Sequence, residues 1–505
     1  MQFIETHLLS LILFLPALAA VVLLFLPRQS TGLLRWFAFL SALVPFVLSV
    51  YLWLRFDAGT PGYQFEEQYA WYEAIGSTLH LGVDGLSLTM VLLTTLLTPL
   101  AILASFRISD RVKAFMMLFL FLETGMLGVF LAMDLLLFFV FWEIGLVPMY
   151  FLINQWGSAN RDYASLKFMI YTMGGSLGLL LGIQLLGVVF RTFDLATITS
   201  QWNTYEQPLL GLPIDQVKTI VFWAFVIAFA VKVPIWPFHT WLPDAHTEAP
   251  TGGSMILAGV LLKLGAYGFL RLVLPLYPEQ ARMFAFALAA LATAAIVFGA
   301  LGSFAQTDFK RLVAYSSVNH MGFVVLGIAA AGLAAGTADA RIALNGAILQ
   351  MFNHGLSAAG MFFLVGVIYD RTHTRNLDDF GGLFPLVPIY GGILIFTSMA
   401  SLGLPGLNGF VSEFLVVRGT YPILPVYTAI SMVGVLFTGA YILKGIMKVL
   451  HGPMNERWSH GEHKLTEIGT REILVVAPLM VLMLVLGIWP AWILDVINKA
   501  VMQLF

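Results

Sequence analysis

Residues 231–271 read VKVPIWPFHTWLPDAHTEAPTGGSMILAGVLLKLGAYGFLR. Two lysines, Lys232 and Lys263, lie there inside apolar runs long enough to be at membrane depth, and Pro234 and Pro237 interrupt the first run. An ionisable side chain in hydrocarbon is costly, so it is by default a candidate functional group. An interrupted helix is tolerated at that depth only where it is buried in protein or lines a water-filled cavity. The stretch therefore predicts a membrane helix bundle with an ion path.

The composition places the whole chain in a membrane. Of its 505 residues, 59% are hydrophobic and 11% are charged, whereas soluble domains carry about 25% charged residues. The net charge of −2 gives no reason to expect a nucleic-acid partner, and the lack of cysteine excludes disulfides and thiolate-held metal. The first apolar run, 7–26, lacks a basic region before it and a cleavage site after it, so it is predicted to be a transmembrane span.

Span counting predicts an all-α integral membrane protein with about 14 transmembrane helices, at about 20 apolar residues per crossing. The predicted helices lie near 7–26, 33–54, 85–106, 113–132, 135–154, 165–190, 219–235, 248–270, 283–303, 311–330, 342–369, 388–416, 423–448 and 472–496. The alternate connections on the side of Arg28 and Lys464 carry more Lys and Arg than the opposite set. The positive-inside rule therefore predicts that both termini are outside, which is periplasmic in a bacterium.

An internal repeat is visible in this layout. Two sets of five spans each have an interrupted fourth span, with KVPIWPF at 232–238 and GLPGLNGF at 403–410. An odd number of spans inverts the second copy, and paired interrupted helices in inverted repeats indicate the ion site of a transporter. The predicted division is 1–112 (helices 1–3), 113–270 (first repeat, helices 4–8), 283–448 (inverted second repeat, helices 9–13) and 449–505 (connection and helix 14), all within one membrane domain.

Six ionisable residues inside the predicted spans are candidates for the ion path. They are Glu143, Lys232, Lys263, His320, His354 and Glu413. Lys263 is about 13 residues into its helix, roughly 20 Å from its start, which is too deep for the ammonium to reach water easily. It is the strongest proton-carrier candidate, because a desolvated lysine changes its protonation readily. An opposite charge favours the ionised form of a group, so Glu143 would tune Lys232.

Four of the six candidates also have a structural interpretation. Glu143 would then be a polar packing residue, and Lys232 would extend its ammonium to water. His320 and His354 would be neutral buried histidines bonded to a hydroxyl or amide. Glu123 is a seventh candidate, either a second carboxylate near Glu143 or a packing residue.

Cofactor motifs are absent from the sequence. There is no phosphate-binding loop of either common type, and His239 and His246 have no third ligand nearby for a metal ion. We therefore predict no cofactor and no metal in this chain.

Four stretches closely resemble subunit M of proton-pumping NADH:quinone oxidoreductase, respiratory complex I, the counterpart of mitochondrial subunit 4 in the antiporter-like family. They are residues 231–271, DFKRLVAYSSVNHMGFVVLG (308–327), FNHGLSAAGMFFLVGVIYDRTHTRN (352–376) and GLPGLNGFVSEF (403–414). The resemblance covers nearly the whole chain in length, span count and order. AHTEAPTGGSMILAG followed by LLKLGAYGFLR is its most specific part.

The resemblance implies roles for the six residues. Glu143 would be the glutamate of the fifth span and Lys232 its partner in the broken seventh, while Lys263 would be the central lysine of the eighth. The remaining three would be the connecting histidines His320 and His354 and the twelfth-span glutamate Glu413. Redox energy released at quinone in other subunits would drive protons from the inside past the lysines and histidines to Glu413.

The resemblance also implies the setting. FMN, iron–sulfur clusters and quinone would be held by partner subunits, and the partners would be other membrane subunits of complex I. These are the L-type and N-type antiporter-like neighbours and the lateral helix of the L-type subunit, together with lipids but no nucleic acid, in a bacterial inner membrane. Three alternatives stay open: a subunit of a multisubunit cation/proton antiporter, the membrane arm of a hydrogenase- or ferredoxin-linked pump, and a structural role in which the charges only lock helices together.

Overall fold

Helices that cross the membrane dominate the computed structural model, which describes residues 2–459 and 465–504. Thirteen helices in this part are long and apolar enough to span, and two shorter ones, α13 and α14, form a further crossing. The helices are α1 (Leu8–Phe25), α2 (Thr31–Arg55), α3 (Gly85–Arg107), α4 (Val112–Leu131), α5 (Leu135–Trp156), α6 (Arg161–Phe190), α7 (Ile214–Lys232), α8 (Trp241–Glu248), α9 (Thr251–Leu276), α10 (Ala285–Ala305), α11 (Phe309–Leu333), α12 (Ala338–Thr372), α13 (Pro388–Leu402), α14 (Asn408–Thr420), α15 (Pro425–Leu450), α16 (Thr470–Ile488) and α17 (Ala491–Gln503). The predicted fold class is confirmed.

Both predicted interruptions are present. The first separates α7 from α8 between Lys232 and Trp241, and the second separates α13 from α14 between Leu402 and Asn408. The second break contains two glycines with positive φ, Gly403 (83°) and Gly406 (94°), a conformation that glycine adopts without steric cost.

Two helices that the sequence predicts as continuous are divided in the structure. The predicted helix 472–496 ends at Ile488, and a separate helix begins at Ala491. The predicted helix 135–154 contains a break at Gly145, where Pro148 supplies no N–H to the preceding turn. At this break α5 packs closely on α4, because a Cβ added at Gly125 would lie 2.7 Å from the backbone N of Gly145.

The predicted polar connection 55–84 contains an antiparallel hairpin. Its strands are β1 (Gln64–Tyr72) and β2 (Ser77–Val83). The hairpin lies against the N-terminal helix, since Glu67 accepts a 2.7 Å hydrogen bond from the backbone N–H of Leu9. It also lies near the C-terminal helix, since the Gly62 N–H donates to Gln503 Oε1 at 3.1 Å. Both termini therefore share one membrane face, here called the hairpin face, and the other is called the opposite face.

The most buried helices are α3, α9, α11 and α12, whose apolar windows are at least 94% buried, whereas α1 and α2 are mostly exposed. The buried helices carry Lys263, His320 and His354 at the centre of the bundle. Lys464, which contributed to the predicted orientation, lies outside the described residues.

Candidate functional site

Lys263 lies at the centre of α9 between two π-helical stretches, Leu257–Leu261 and Phe269–Val273. Such π-helical turns occur frequently at functional sites. Its fully buried ammonium donates to the carbonyl oxygen of Ala258 at 2.5 Å and contacts Nδ1 of His354 at 2.8 Å. The geometry allows a proton to pass directly between lysine and imidazole.

The two histidines continue this contact into the second half of the chain. The ring centroids of His354 and His320 are 5.5 Å apart. His320 Nδ1 lies 2.7 Å from Glu413 Oε1, and its Nε2 lies 3.2 Å from the Tyr441 hydroxyl and 3.3 Å from the Ser401 hydroxyl. The structure thus brings four of the six candidates, Lys263, His354, His320 and Glu413, into one row.

Glu413 lies in α14 just after the second interruption. Gln350 Nε2 donates to its Oε1 at 3.1 Å, and Ser412 Oγ in turn donates to Gln350 Oε1 at 2.5 Å. Its other oxygen, Oε2, points to the glycine turn of the break, 3.4 Å from where a Cβ of Gly403 would lie. The interruption therefore makes room for the carboxylate at the end of the row.

The other two candidates, Glu143 and Lys232, lie on α5 and α7. Within the described residues no ion pair of 4 Å or less joins them, although the charge of Glu143 acts on Lys232. The Lys232 ammonium lies 5.1 Å from the ring centroid of Trp142, within the range of a cation–π contact. The structure therefore holds this pair in a separated arrangement.

Glu123 is fully buried in α4, and both of its carboxylate oxygens lack a hydrogen-bond partner among the described residues. It lies two residues before Gly125, which packs on Gly145 two residues after Glu143. This packing places Glu123 and Glu143 on adjoining helices at a similar depth.

Two further residues were not among the sequence candidates. Lys310, at the start of α11, is buried and donates to the Ala249 carbonyl at 2.5 Å. It lines a cavity of about 170 Å³ at the opposite face, together with Glu248 and Asp370. The DFK start of the helix resembles an ordinary capped surface turn, so only its burial reveals it.

His246, in α8, lies three residues before Ala249, whose carbonyl accepts the hydrogen bond from Lys310. Its ring stacks on Phe362 with centroids 4.3 Å apart, and both ring nitrogens are buried without a hydrogen-bond partner among the described residues. Within that part of the chain, no group of three or more metal-ligating side chains is placed to hold an ion. His246 is thus a buried polar group near Lys310 whose two ring nitrogens are not bonded to protein within the described residues.

Comparisons with known proteins agree on one family. The family described as NADH:quinone oxidoreductase/Mrp antiporter, TM matches residues 132–439. The NADH-quinone oxidoreductase subunit M of Rhodobacter capsulatus is 42% identical, over 99% of this chain and 96% of the relative. A chain of respiratory complex I from Thermus thermophilus is similar with a TM-score of 0.84 and 29% identity, covering 98% of this chain and 99% of that one.

A further solved structure shares the fold. It is the Mrp complex from Dietzia sp. DQ12-45-1b, with a TM-score of 0.82 and 24% identity, covering 98% of this chain and 52% of that one.

Proposed function

Because the chain belongs to the subunit M family of NADH-quinone oxidoreductase, we propose that its buried row of lysine, histidine and glutamate side chains conducts the protons that this enzyme translocates. The chain is an antiporter-like, proton-translocating membrane subunit of a redox-driven enzyme complex. A relative that is 42% identical along 99% of the chain favours this enzyme over a cation/proton antiporter or a hydrogenase-linked pump, whereas the likeness to the Mrp complex concerns the fold alone.

The contact between Lys263 and His354 carries the proposal. A protonated Lys263 donates to Nδ1 of His354, so the imidazole in this state is neutral and bears its own proton on Nε2. When Nζ transfers its proton to Nδ1, the resulting imidazolium can release the Nε2 proton toward His320 through a water between the two rings, because Nε2 has no direct hydrogen-bond partner within the described residues. His320 lies 2.7 Å from Glu413, which receives the proton at the end of the row.

Proton uptake from the opposite face would start at the cavity beside Lys310. Its volume of about 170 Å³ is enough for a few waters at about 30 Å³ each, and carboxylates line it. His246 would then relay protons from Lys310 toward Lys263, since Lys310 donates to the carbonyl of Ala249, three residues after His246, and neither ring nitrogen of His246 is bonded to protein within the described residues. This route would lead protons from the cavity toward Lys263.

Glu143 and Lys232 would control the row electrostatically. At an effective dielectric constant of about 20, closing an ion pair to about 4 Å is worth about 4 kcal/mol, enough to change a protonation equilibrium roughly a thousandfold. When the pair is closed, the Glu143 charge would offset the repulsion between the Lys232 and Lys263 ammonium groups. When it is open, that repulsion would favour proton loss from Lys263. Glu123 would add a second carboxylate at the same depth.

The setting follows from the family. We propose that FMN, iron–sulfur clusters and quinone are held by other subunits, and that the direct neighbours are L-type and N-type antiporter-like subunits, with the lateral helix of the L-type subunit along one side. The excess of Lys and Arg on the opposite face supports periplasmic termini in a bacterial inner membrane. The paired interruptions support the division into 1–112, 113–270, 283–448 and 449–505 as helices 1–3, two inverted repeats and a C-terminal part.

Lys263→Ala and Glu143→Ala test this function in membrane vesicles that contain the assembled complex. We expect quinone-linked proton uptake to be lost in Lys263→Ala and strongly reduced in Glu143→Ala, at a normal content of complex. Lys448→Ala is a matched control, since Lys448 pairs with Asp378 at the surface. Intact uptake in both variants would instead support the purely structural role of these charges.

A further inference from the structure

A buried ion pair closes the hairpin-face end of α9. Arg271 Nη2 donates to Asp84 Oδ1 at 2.6 Å, and both side chains are almost fully buried. The other two guanidinium nitrogens are also occupied, because Nη1 donates to the Tyr63 hydroxyl at 2.7 Å and Nε to the Tyr267 hydroxyl at 3.0 Å. We call these four residues the hairpin-face barrier.

A large pocket lies directly above this barrier. It has a volume of about 680 Å³ and is lined by Arg271 and Asp84, by Leu195 and Asn203 of the short helix Leu195–Asn203, and by Gln503 of the C-terminal helix. Three of the five guanidinium N–H groups already have protein partners and Asp84 pairs with the positive charge, so Arg271 is held within the barrier. The feature of interest in this pocket is therefore the Arg271–Asp84 ion pair that separates it from the interior.

On the interior side of this ion pair, α9 continues to Lys263. Tyr267 lies four residues from both Arg271 and Lys263, and its hydroxyl donates to the Phe130 carbonyl at 3.0 Å while its ring packs edge-on against Phe130. The Lys263 ammonium points the other way, to the carbonyl of Ala258. One aromatic layer and one ion pair thus separate the central lysine from the pocket.

We propose that the hairpin-face barrier prevents proton exchange between this pocket and Lys263, so that a proton on Lys263 can leave only toward His354. A fixed guanidinium in a narrow passage repels protons and cations, as in channels that exclude them electrostatically. Asp84, Tyr63 and Tyr267 each accept a hydrogen bond from the guanidinium, so no single one of them is needed to hold it in place. Tyr267 with Phe130 excludes water beneath it. This inference rests on the proposed function, because it concerns the direction in which Lys263 releases its proton.

Replacement of Arg271 and replacement of Asp84 should affect proton exchange differently. Arg271→Gln removes the repelling charge and leaves Asp84 as an unpaired carboxylate that can accept protons from the pocket. Asp84→Asn removes the carboxylate, keeps the guanidinium, and keeps a side chain that can cap α3. A purely structural ion pair would instead be disrupted alike by both substitutions.

Passive proton conductance separates these possibilities. We would impose a pH gradient on vesicles containing the assembled complex, with quinone reduction inhibited, and follow its decay. We expect about tenfold faster decay in Arg271→Gln, which corresponds to about 1.4 kcal/mol of barrier, and wild-type decay in Asp84→Asn and in Arg271→Lys. Equal decay rates in Arg271→Gln and Asp84→Asn, whether raised or not, would overturn the proposal.

Two controls define the route of the leak. Asp339→Asn breaks the exposed Arg418–Asp339 pair on the same face and should leave the conductance unchanged. Adding Lys263→Ala to Arg271→Gln should return the decay to the wild-type rate, and a persistent leak would overturn the inference. A failure of the proposed function is detected separately, as intact redox-linked uptake in Lys263→Ala alone.

Discussion

Lys263 Nζ lies 2.8 Å from His354 Nδ1 although the two residues are 91 positions apart in sequence. This hydrogen bond joins α9, the last helix of the predicted first repeat, to α12 in the second. It connects Lys263 to the second interrupted helix, because His354 lies beside His320, which contacts Glu413 next to the second break. The proposed proton path therefore passes from Lys263 into the second repeat at this contact.

Replacement of His354 by Met should interrupt the path at this contact. The ammonium of Lys263 would then keep only the Ala258 carbonyl as a partner, and a hydrogen bond to a charged group contributes about 1.5–3 kcal/mol. We expect quinone-linked proton uptake to fall roughly tenfold or more on this basis. His354→Gln, which keeps an acceptor but cannot relay a proton, should preserve assembly better than His354→Met and still fail to pump. His451→Gln at an exposed site is the control, and normal uptake in His354→Gln would contradict the relay.

Replacement of His246 by Phe should slow proton uptake from the opposite face. The ring stacking on Phe362 would be kept, so the packing changes little while both ring nitrogens are lost. We expect a several-fold lower rate of uptake, with the remaining rate more dependent on external pH because protonation of Lys263 becomes limiting. Stopped-flow uptake in vesicles measures this rate. His373→Phe, in the connection after α12, serves as a control, and an unchanged rate in His246→Phe would exclude His246 from the path.

The sequence predicts those features that depend on local chemistry. Pro234 and Pro237 reveal the first interruption, and Pro405 within GLPGLNGF reveals the second. Lys263 is recognisable from its depth alone, because an apolar run on both sides leaves the ammonium no route to water. These signals need no knowledge of neighbouring helices.

Features that depend on packing between distant segments were not predictable. The partners of Glu413 and His320, namely Gln350 and Tyr441, come from other helices. Lys310 looks like an ordinary residue of a helix start until its burial is known. The hairpin was missed because a search for long apolar runs treats 55–84 only as a polar connection.

Gly125→Ala should weaken the packing that positions Glu143. The new Cβ would lie 2.7 Å from the backbone N of Gly145, and an overpacked contact of this kind costs about 1–3 kcal/mol. We expect a lower thermal midpoint of the purified complex and reduced proton uptake, because α5 must shift at the break. Gly174→Ala is the matched control, since its Cβ meets no atom within 4 Å and alanine favours a helix by about 1 kcal/mol over glycine. Equal midpoints for the two variants would contradict this account of the break.

His80 attaches the hairpin to the short helix Leu195–Asn203. Its Nε2 lies 3.0 Å from Glu66 and its Nδ1 lies 3.2 Å from Asp194. The hydrogen bond to Asp194, joined by that to Glu66, raises the pKa of His80 above 6.5. The hydrogen bond from His80 lowers the pKa of Asp194 from 3.8 to about 2.

The stability of the hairpin should therefore depend on pH in a defined window. A raised histidine pKa stabilises the folded hairpin fully below pH 6.5, and this contribution is lost as the pH rises through the raised value. A lowered aspartate pKa stabilises it above pH 3.8, and this is lost as the pH falls through about 2. Between pH 3.8 and 6.5, His80→Gln should thus exchange amide hydrogens in residues 64–83 faster than the wild type, measured by mass spectrometry on the solubilised complex. The difference should shrink at alkaline pH, where His80 is neutral in both states. Gln68→Ala, across the same hairpin, controls for local loosening, and a difference that grows toward alkaline pH would rule out the ion pairs as its cause.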